Sequence, residues 1–296
     1  MIPPPLTSVW FARFRVLFGL YLTIHFGSLI PWSAELFSRD GILPDPSLNP
    51  LAGLFPNPLV WWNSPVFATT FTTALTLLSI GLTLGWQRRL LSILLWFGST
   101  ALFHRNNLTS NPALAYLGLL LVLCSLIPTG EKLNPKPARD PDDFPAWRMP
   151  AMIPICAWVL LAVGYTFSGL TKWDSPSWQD GTAIARLLDS PLARPGFIRE
   201  AVSALPDWAL KSFSWGSLWL EILFLPLGLH PVTRKWAWMA MTGMHLGILF
   251  LIDFADLTFG MLMIHAFTFN PAWLSGIAFW RSVRLEPAGE STAGAV

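Results

Sequence analysis

The sequence predicts an all-α fold, a polytopic membrane helical bundle of about seven to eight transmembrane helices. Three observations carry that expectation. Of the 296 residues, 53% are hydrophobic and only 12% charged, far from the balance of a soluble domain. The apolar residues gather into long runs, and about 20 such residues suffice for a helix to cross the hydrocarbon core. Aromatic usage, 17 Trp and 21 Phe against 3 Tyr, suits rings lying in lipid or at its interfaces. A formal charge of +2 gives no basis for nucleic acid as a partner, so membrane lipid is the expected surrounding. Cys124 and Cys156 both sit inside apolar runs, which rules out a disulfide framework.

Taken in order, residues 9–32 form the first span. Their proline-rich leader carries no positive charge and the apolar stretch is too long for a cleaved signal peptide, so the segment is expected to stay as a helix. Residues 33–65, rich in Pro, Asn and Trp, should lie along the outer surface, partly re-entrant. Residues 66–85 read as the next span. Residues 90–103 are short but are bounded by Arg88-Arg89 and His104-Arg105, and 113–128 follow. The proline-rich, charged stretch 134–150 reads as a connector between helical halves 1–133 and 150–284. In the second half the expected spans are 150–170, 212–229, 235–253 and 257–280, the last bent at Asn270-Pro271. Residues 285–296 read as a disordered tail. With the N-terminus cytoplasmic, twelve of the nineteen Lys and Arg fall on the cytoplasmic side, as the positive-inside rule asks.

Ionisable side chains within apolar runs are expensive, and each is a hypothesis about function. Arg13 and Arg15 begin the first helix and are expected to snorkel to the headgroups. His25 lies deeper in that helix, one turn after Tyr21, read as a satisfied core histidine over a catalytic one. Lys172 ends the 150–170 span with Trp173 and Trp178 near it. There it is either an interfacial lysine or a desolvated amine able to act as a base. Gly169, three residues earlier, would let another helix or a flat ligand approach closely. Glu221 sits inside its apolar run and needs a cation, for which Lys172, His245 and Arg186 qualify. Gly243 and Gly247 flank His245 and should let its helix pack closely. Asp253 and Asp256 are read as capping or solvated groups. The five histidines form no i, i+3 or i, i+4 pair, and no metal is indicated.

Ser168-Gly-Leu-Thr-Lys-Trp-Asp174, followed by Trp178-Gln-Asp-Gly181, resembles the vitamin K-dependent gamma-glutamyl carboxylases and their bacterial relatives with a horizontally transferred transmembrane (HTTM) domain. The interval between Asp174 and Trp178 is one residue longer than in that family, and Thr171 stands where the carboxylases have another lysine. Arg15-Val-Leu-Phe-Gly19, His104-Arg-Asn-Asn107 and the stretch from Met244 to Met263 extend the similarity along most of the chain, residues 1–284. The resemblance implies a bacterial inner-membrane protein in which Lys172 is the base acting on a reduced quinone, vitamin K or menaquinone. Molecular oxygen and carbon dioxide would be co-substrates if the protein carboxylates. Asp174 would position Lys172 or control its protonation, His245 and Glu221 would handle protons, and Gly169, Trp173, Trp178 and His25 would contact substrate.

Pro112 stands where the carboxylases have a histidine, and no large extramembrane region follows the helices. These departures motivate a second reading, a non-catalytic maturation factor for a secreted peptide. A third is a transporter coupled to protons through Glu221 and Asp253.

Overall fold

The computed structural model describes residues 6–51, 53–133 and 147–274. The connector expected at 134–150 falls outside it save for its last four residues, and so do the expected tail at 285–296 and residues 275–280 of the last expected span. The described chain is helical, with no strand and one isolated bridge between Ala193 and Ile252.

Local chemistry sets the helix starts. Before α1 (Ser8–Leu29) the Thr7 hydroxyl accepts from the Trp10 amide, and α1 runs through a 3-10 turn into α2 (Ser33–Phe37). Three later helices share one signature, a short polar residue capping and proline at the first helical position, where no amide hydrogen is needed. They are α3 (Pro58–Trp61) behind Asn57, α4 (Pro65–Leu84) behind Ser64, and, after α5 (Arg88–Arg105), α6 (Pro112–Leu126) behind Asn111. Gly85 ends α4 with φ of 82°, the left-handed conformation that glycine adopts without penalty. The second half holds α7 (Met152–Trp173), the short α8 (Pro176–Gln179), α9 (Ala183–Leu188) and α10 (Phe197–Ser203), then α11 (Asp207–Ile222), α12 (Phe224–Leu229), α13 (Arg234–Leu251) and α14 (Ala255–Thr268). Among the described residues, three helices are long and apolar enough to cross a membrane: Ser8–Phe37, Pro65–Leu84 and Met152–Trp173. Pro112–Leu126 is a shorter apolar helix.

The helices stand side by side with two polar ends. At one end α1, α4, α5 and α6 meet around Glu131. Its Oε1 accepts from Arg88 Nε at 2.7 Å and lies 3.4 Å from Arg15 Nε. Arg15 also donates to the carbonyls of Leu82 and Thr83 at 2.7 and 2.6 Å, and Arg88 to those of Cys124, Ile127 and Pro128. These carbonyls close the ends of α4 and α6, where backbone acceptors lack intrahelical partners and the helix dipole favours a cation. The snorkelling expected of Arg15 is therefore corrected, since it is buried and paired. Arg13 is exposed, its guanidinium 5.5 Å from the Trp10 ring centre.

At the other end the segment between α2 and α4 lies over the end of α5. Arg105, wholly buried, donates to the carbonyls of Ser38 and Leu43, Asn106 to that of Leu36, Asn49 to that of His104, and Asn57 to that of Ala101. Buried Asn and Arg side chains thus satisfy carbonyls of the connecting segment and of the last turns of α2 and α5. α14 lies centrally, packed against α1 and α6 on one side and α7 and α13 on the other.

Close packing is real at Gly19 and absent at Gly243. A Cβ on Gly19 would lie 2.7 Å from the Thr83 amide nitrogen, backbone that cannot swing aside. At Gly243 and Gly247 it would meet nothing within 4 Å among the described residues, so the tight approach expected beside His245 is corrected: those glycines do not set the packing of α13. Gly19→Ala is therefore expected to lower unfolding stability by about 1–3 kcal/mol, the usual cost of overpacking. Gly243→Ala should be neutral or slightly stabilising, because alanine is the better helix former. Paired thermal unfolding in one detergent checks both.

Candidate functional site

Two polar centres lie towards the end opposite Glu131. The first is the one the sequence points to. Lys172, in the last turn of α7, donates to both oxygens of Glu221 at 2.6 Å. Ser168 donates to Glu221 Oε2 at 3.0 Å. Of the three cations weighed for Glu221, the lysine is the partner, while Arg186 donates to the Thr182 hydroxyl instead. The carboxylate side chain is 4% exposed and the lysine side chain 31%, so the acid is the buried member. Gly169 makes the pair possible. A Cβ there would lie 2.6 Å from the Ile222 amide nitrogen and 3.0 Å from Glu221 Cβ, so α7 and α11 meet backbone to backbone. Just beyond, α11 breaks into α12, and the Thr166 hydroxyl serves the break by donating to the Ile222 carbonyl and accepting from the Leu225 amide.

The predicted aromatic neighbours divide. Trp178 faces the Lys172 ammonium, 5.1 Å from ring centre to nitrogen, whereas Trp173 turns to Trp219 with centroids 5.5 Å apart. Asp174 caps α7 with its backbone. Its side chain is exposed and makes no hydrogen bond or ion pair among the described residues.

The second centre joins residues far apart in sequence. Asp256, in the first turn of α14, accepts at Oδ1 from His25 Nδ1 at 2.7 Å and from the Tyr21 hydroxyl at 2.9 Å. Its Oδ2 accepts from Asn111 Nδ2 at 3.1 Å. The capping or solvated role expected of Asp256 is corrected, because its carboxylate ties α1, α6 and α14 together. Asp253 is the exposed one, 3.4 Å from Arg194. Since a carboxylate only accepts, His25 presents Nδ1–H to it and keeps its Nε2 lone pair.

His25, Asn111 and Asp256 line one wall of a cavity of about 940 Å³. The remaining walls come from α5 and α6, through residues such as Trp96, Phe103, Leu114, Gly118 and Leu119, and from Phe26 and Phe254. Such a chamber, largely apolar with a few convergent polar groups, is the usual form of a small-molecule site. His245, also expected at the site, is elsewhere: its Nε2 meets the Tyr165 hydroxyl at 2.7 Å, and it makes no hydrogen bond to Lys172 or Glu221.

No family model, curated protein or solved structure matches the chain. Among the described residues, no cluster of three or more His, Cys, Asp or Glu side chains is placed to hold a metal ion. Sequence reading missed Asp256, Asn111 and Tyr165. The signal available was the Tyr21/His25 spacing of one helical turn, which puts both polar groups on one face of α1.

The Lys172–Glu221 pair has an asymmetric consequence. Lys172→Met strands a buried carboxylate and is expected to cost about 3–5 kcal/mol. Glu221→Leu leaves an amine that reaches water and should cost less. Denaturant unfolding of both variants in one detergent measures the difference.

Proposed function

We propose that the protein is an integral membrane enzyme that binds a lipophilic, quinol-like molecule in the cavity beside His25 and removes a hydroxyl proton from it. The observation that carries this reading is the His25–Asp256 dyad facing an apolar chamber of about 940 Å³. A carboxylate on Nδ1 holds the imidazole in one tautomer and stabilises the imidazolium that forms when Nε2 takes a proton. The chamber suits an aromatic ring with an apolar tail, and Asn111 lies on the same wall to orient a ring oxygen. This reading shares the substrate class of the carboxylase-like resemblance but gives the proton-accepting step to His25. Lys172 donates to both oxygens of Glu221, and that geometry favours its role as an ion pair closing α7 on α11. Oxygen and carbon dioxide would enter only after deprotonation.

The same reading takes α5, α11 with α12, α13 and α14 as membrane spans beside the longer helices, about eight in all. Support comes from large apolar side chains left bare on their outer faces, among them Ile93, Phe213, Trp236 and Phe250, each more than half exposed.

Purified protein in nanodiscs, titrated with menaquinol under anaerobic conditions, tests the proposal. The expected result is saturable binding with an absorbance change marking the quinolate. His25→Gln should keep binding and lower the rate of quinolate formation by about 10²–10⁴-fold, the usual worth of a positioned base. Gly118→Trp, which fills the chamber, should abolish binding. Binding and deprotonation unchanged in both variants would overturn the reading, and the same rate loss in Lys172→Met but not in His25→Gln would move the base to the lysine.

A further inference from the structure

A third polar group, used by neither centre, lies where α7, α13 and α14 meet. The Tyr165 hydroxyl is 2.7 Å from His245 Nε2 and 2.8 Å from His265 Nε2. His265 Nδ1 is 3.2 Å from the Thr242 hydroxyl, which donates to the Trp238 carbonyl. Tyr165, His245 and His265 are 4%, 5% and 1% exposed, and His245 Nδ1 has no hydrogen-bond partner among the described residues.

Counting hydrogens orders this chain. The Thr242 proton is committed to the Trp238 carbonyl, so His265 must donate from Nδ1 to the threonine oxygen. Neutral His265 then has a bare Nε2, which accepts the Tyr165 hydroxyl proton. The tyrosine has one proton, so its oxygen accepts from His245 Nε2–H, and neutral His245 is left with a bare Nδ1. The lone pair left over, on His245 Nδ1, belongs to the one ring nitrogen of these two histidines found without a partner among the described residues. Leaving a buried acceptor open is costly, and in a native interior such an atom calls for an explanation.

We infer that Tyr165, His245 and His265 form a buried proton relay whose open end is His245 Nδ1. A proton arriving at Nδ1 makes His245 an imidazolium. Its Nε2 proton passes to the Tyr165 oxygen as the tyrosine hydroxyl proton passes to His265 Nε2. His245 ends neutral with its proton on Nδ1, Tyr165 is neutral again, and His265 carries the charge. No hydrogen bond is lost, and the charge has moved from α13 to α14. Phe224 covers the tyrosine ring, with centroids 4.8 Å apart, and helps keep bulk water from the chain.

Nitrogen-15 NMR of the full-length, histidine-labelled protein in lipid tests the relay, with resonances assigned through His245→Gln and His265→Gln. At neutral pH the two rings should be opposite tautomers, His245 protonated on Nε2 and His265 on Nδ1. On acidification both sets of resonances should shift together, as one proton is shared. In Tyr165→Phe, which keeps the ring and removes the link, His265 should stop responding while His245 still titrates. Identical tautomers in the wild type, or a His265 response unchanged in Tyr165→Phe, would overturn the relay. Where a glutamine variant folds poorly, ring-to-backbone correlations in the wild type supply the same assignment, so a poorly folding substitution does not spare the proposal.

Discussion

In a bundle with this little charged surface, every ionic side chain drawn inside must find a partner on another helix, and those pairings decide which helices touch. Glu131 collects two arginines and, through them, the last carbonyls of α4 and α6. Glu221 closes α7 on α11, and Asp256 joins α1, α6 and α14. Apolar contacts alone would let helices slide or rotate against one another, because one leucine surface packs much like another. A carboxylate with two or three directed donors fixes register.

The helices were largely legible because they rest on local signals. Runs of apolar residues, polar caps followed by proline, and Gly85 after α4 place most boundaries within a few residues of those observed. The Lys172–Glu221 contact was legible for a different reason. A lone acid inside an apolar run demands a cation, few were on offer, and the small residue at Gly169 marked where two backbones could come close.

What stayed hidden was tertiary. Asp256 stands next to the start of a helix, where an aspartate ordinarily caps or meets water, and nothing local shows that His25, more than two hundred residues earlier, is waiting for it. Arg15 was misplaced for a similar reason: a flexible cation near the start of a span usually reaches the headgroups, and only the fold brings Glu131 and the end of α4 within its grasp. The glycines beside His245 mislead in the opposite sense, since small residues permit close packing without requiring it. Sequence spacing reports faces of single helices, whereas each polar centre is assembled from two or more.

The central position of α14 carries a consequence for how the molecule is made. Among the described helices α14 is made last, so α1 and α6 are complete, with His25, Tyr21 and Asn111 aimed at an empty slot, well before it. The aspartate that satisfies all three arrives only with that helix. Assembly of the chamber is thus postponed until α14 has been synthesised, and a nascent chain released earlier would carry an unquenched polar seam, a natural flag for quality control.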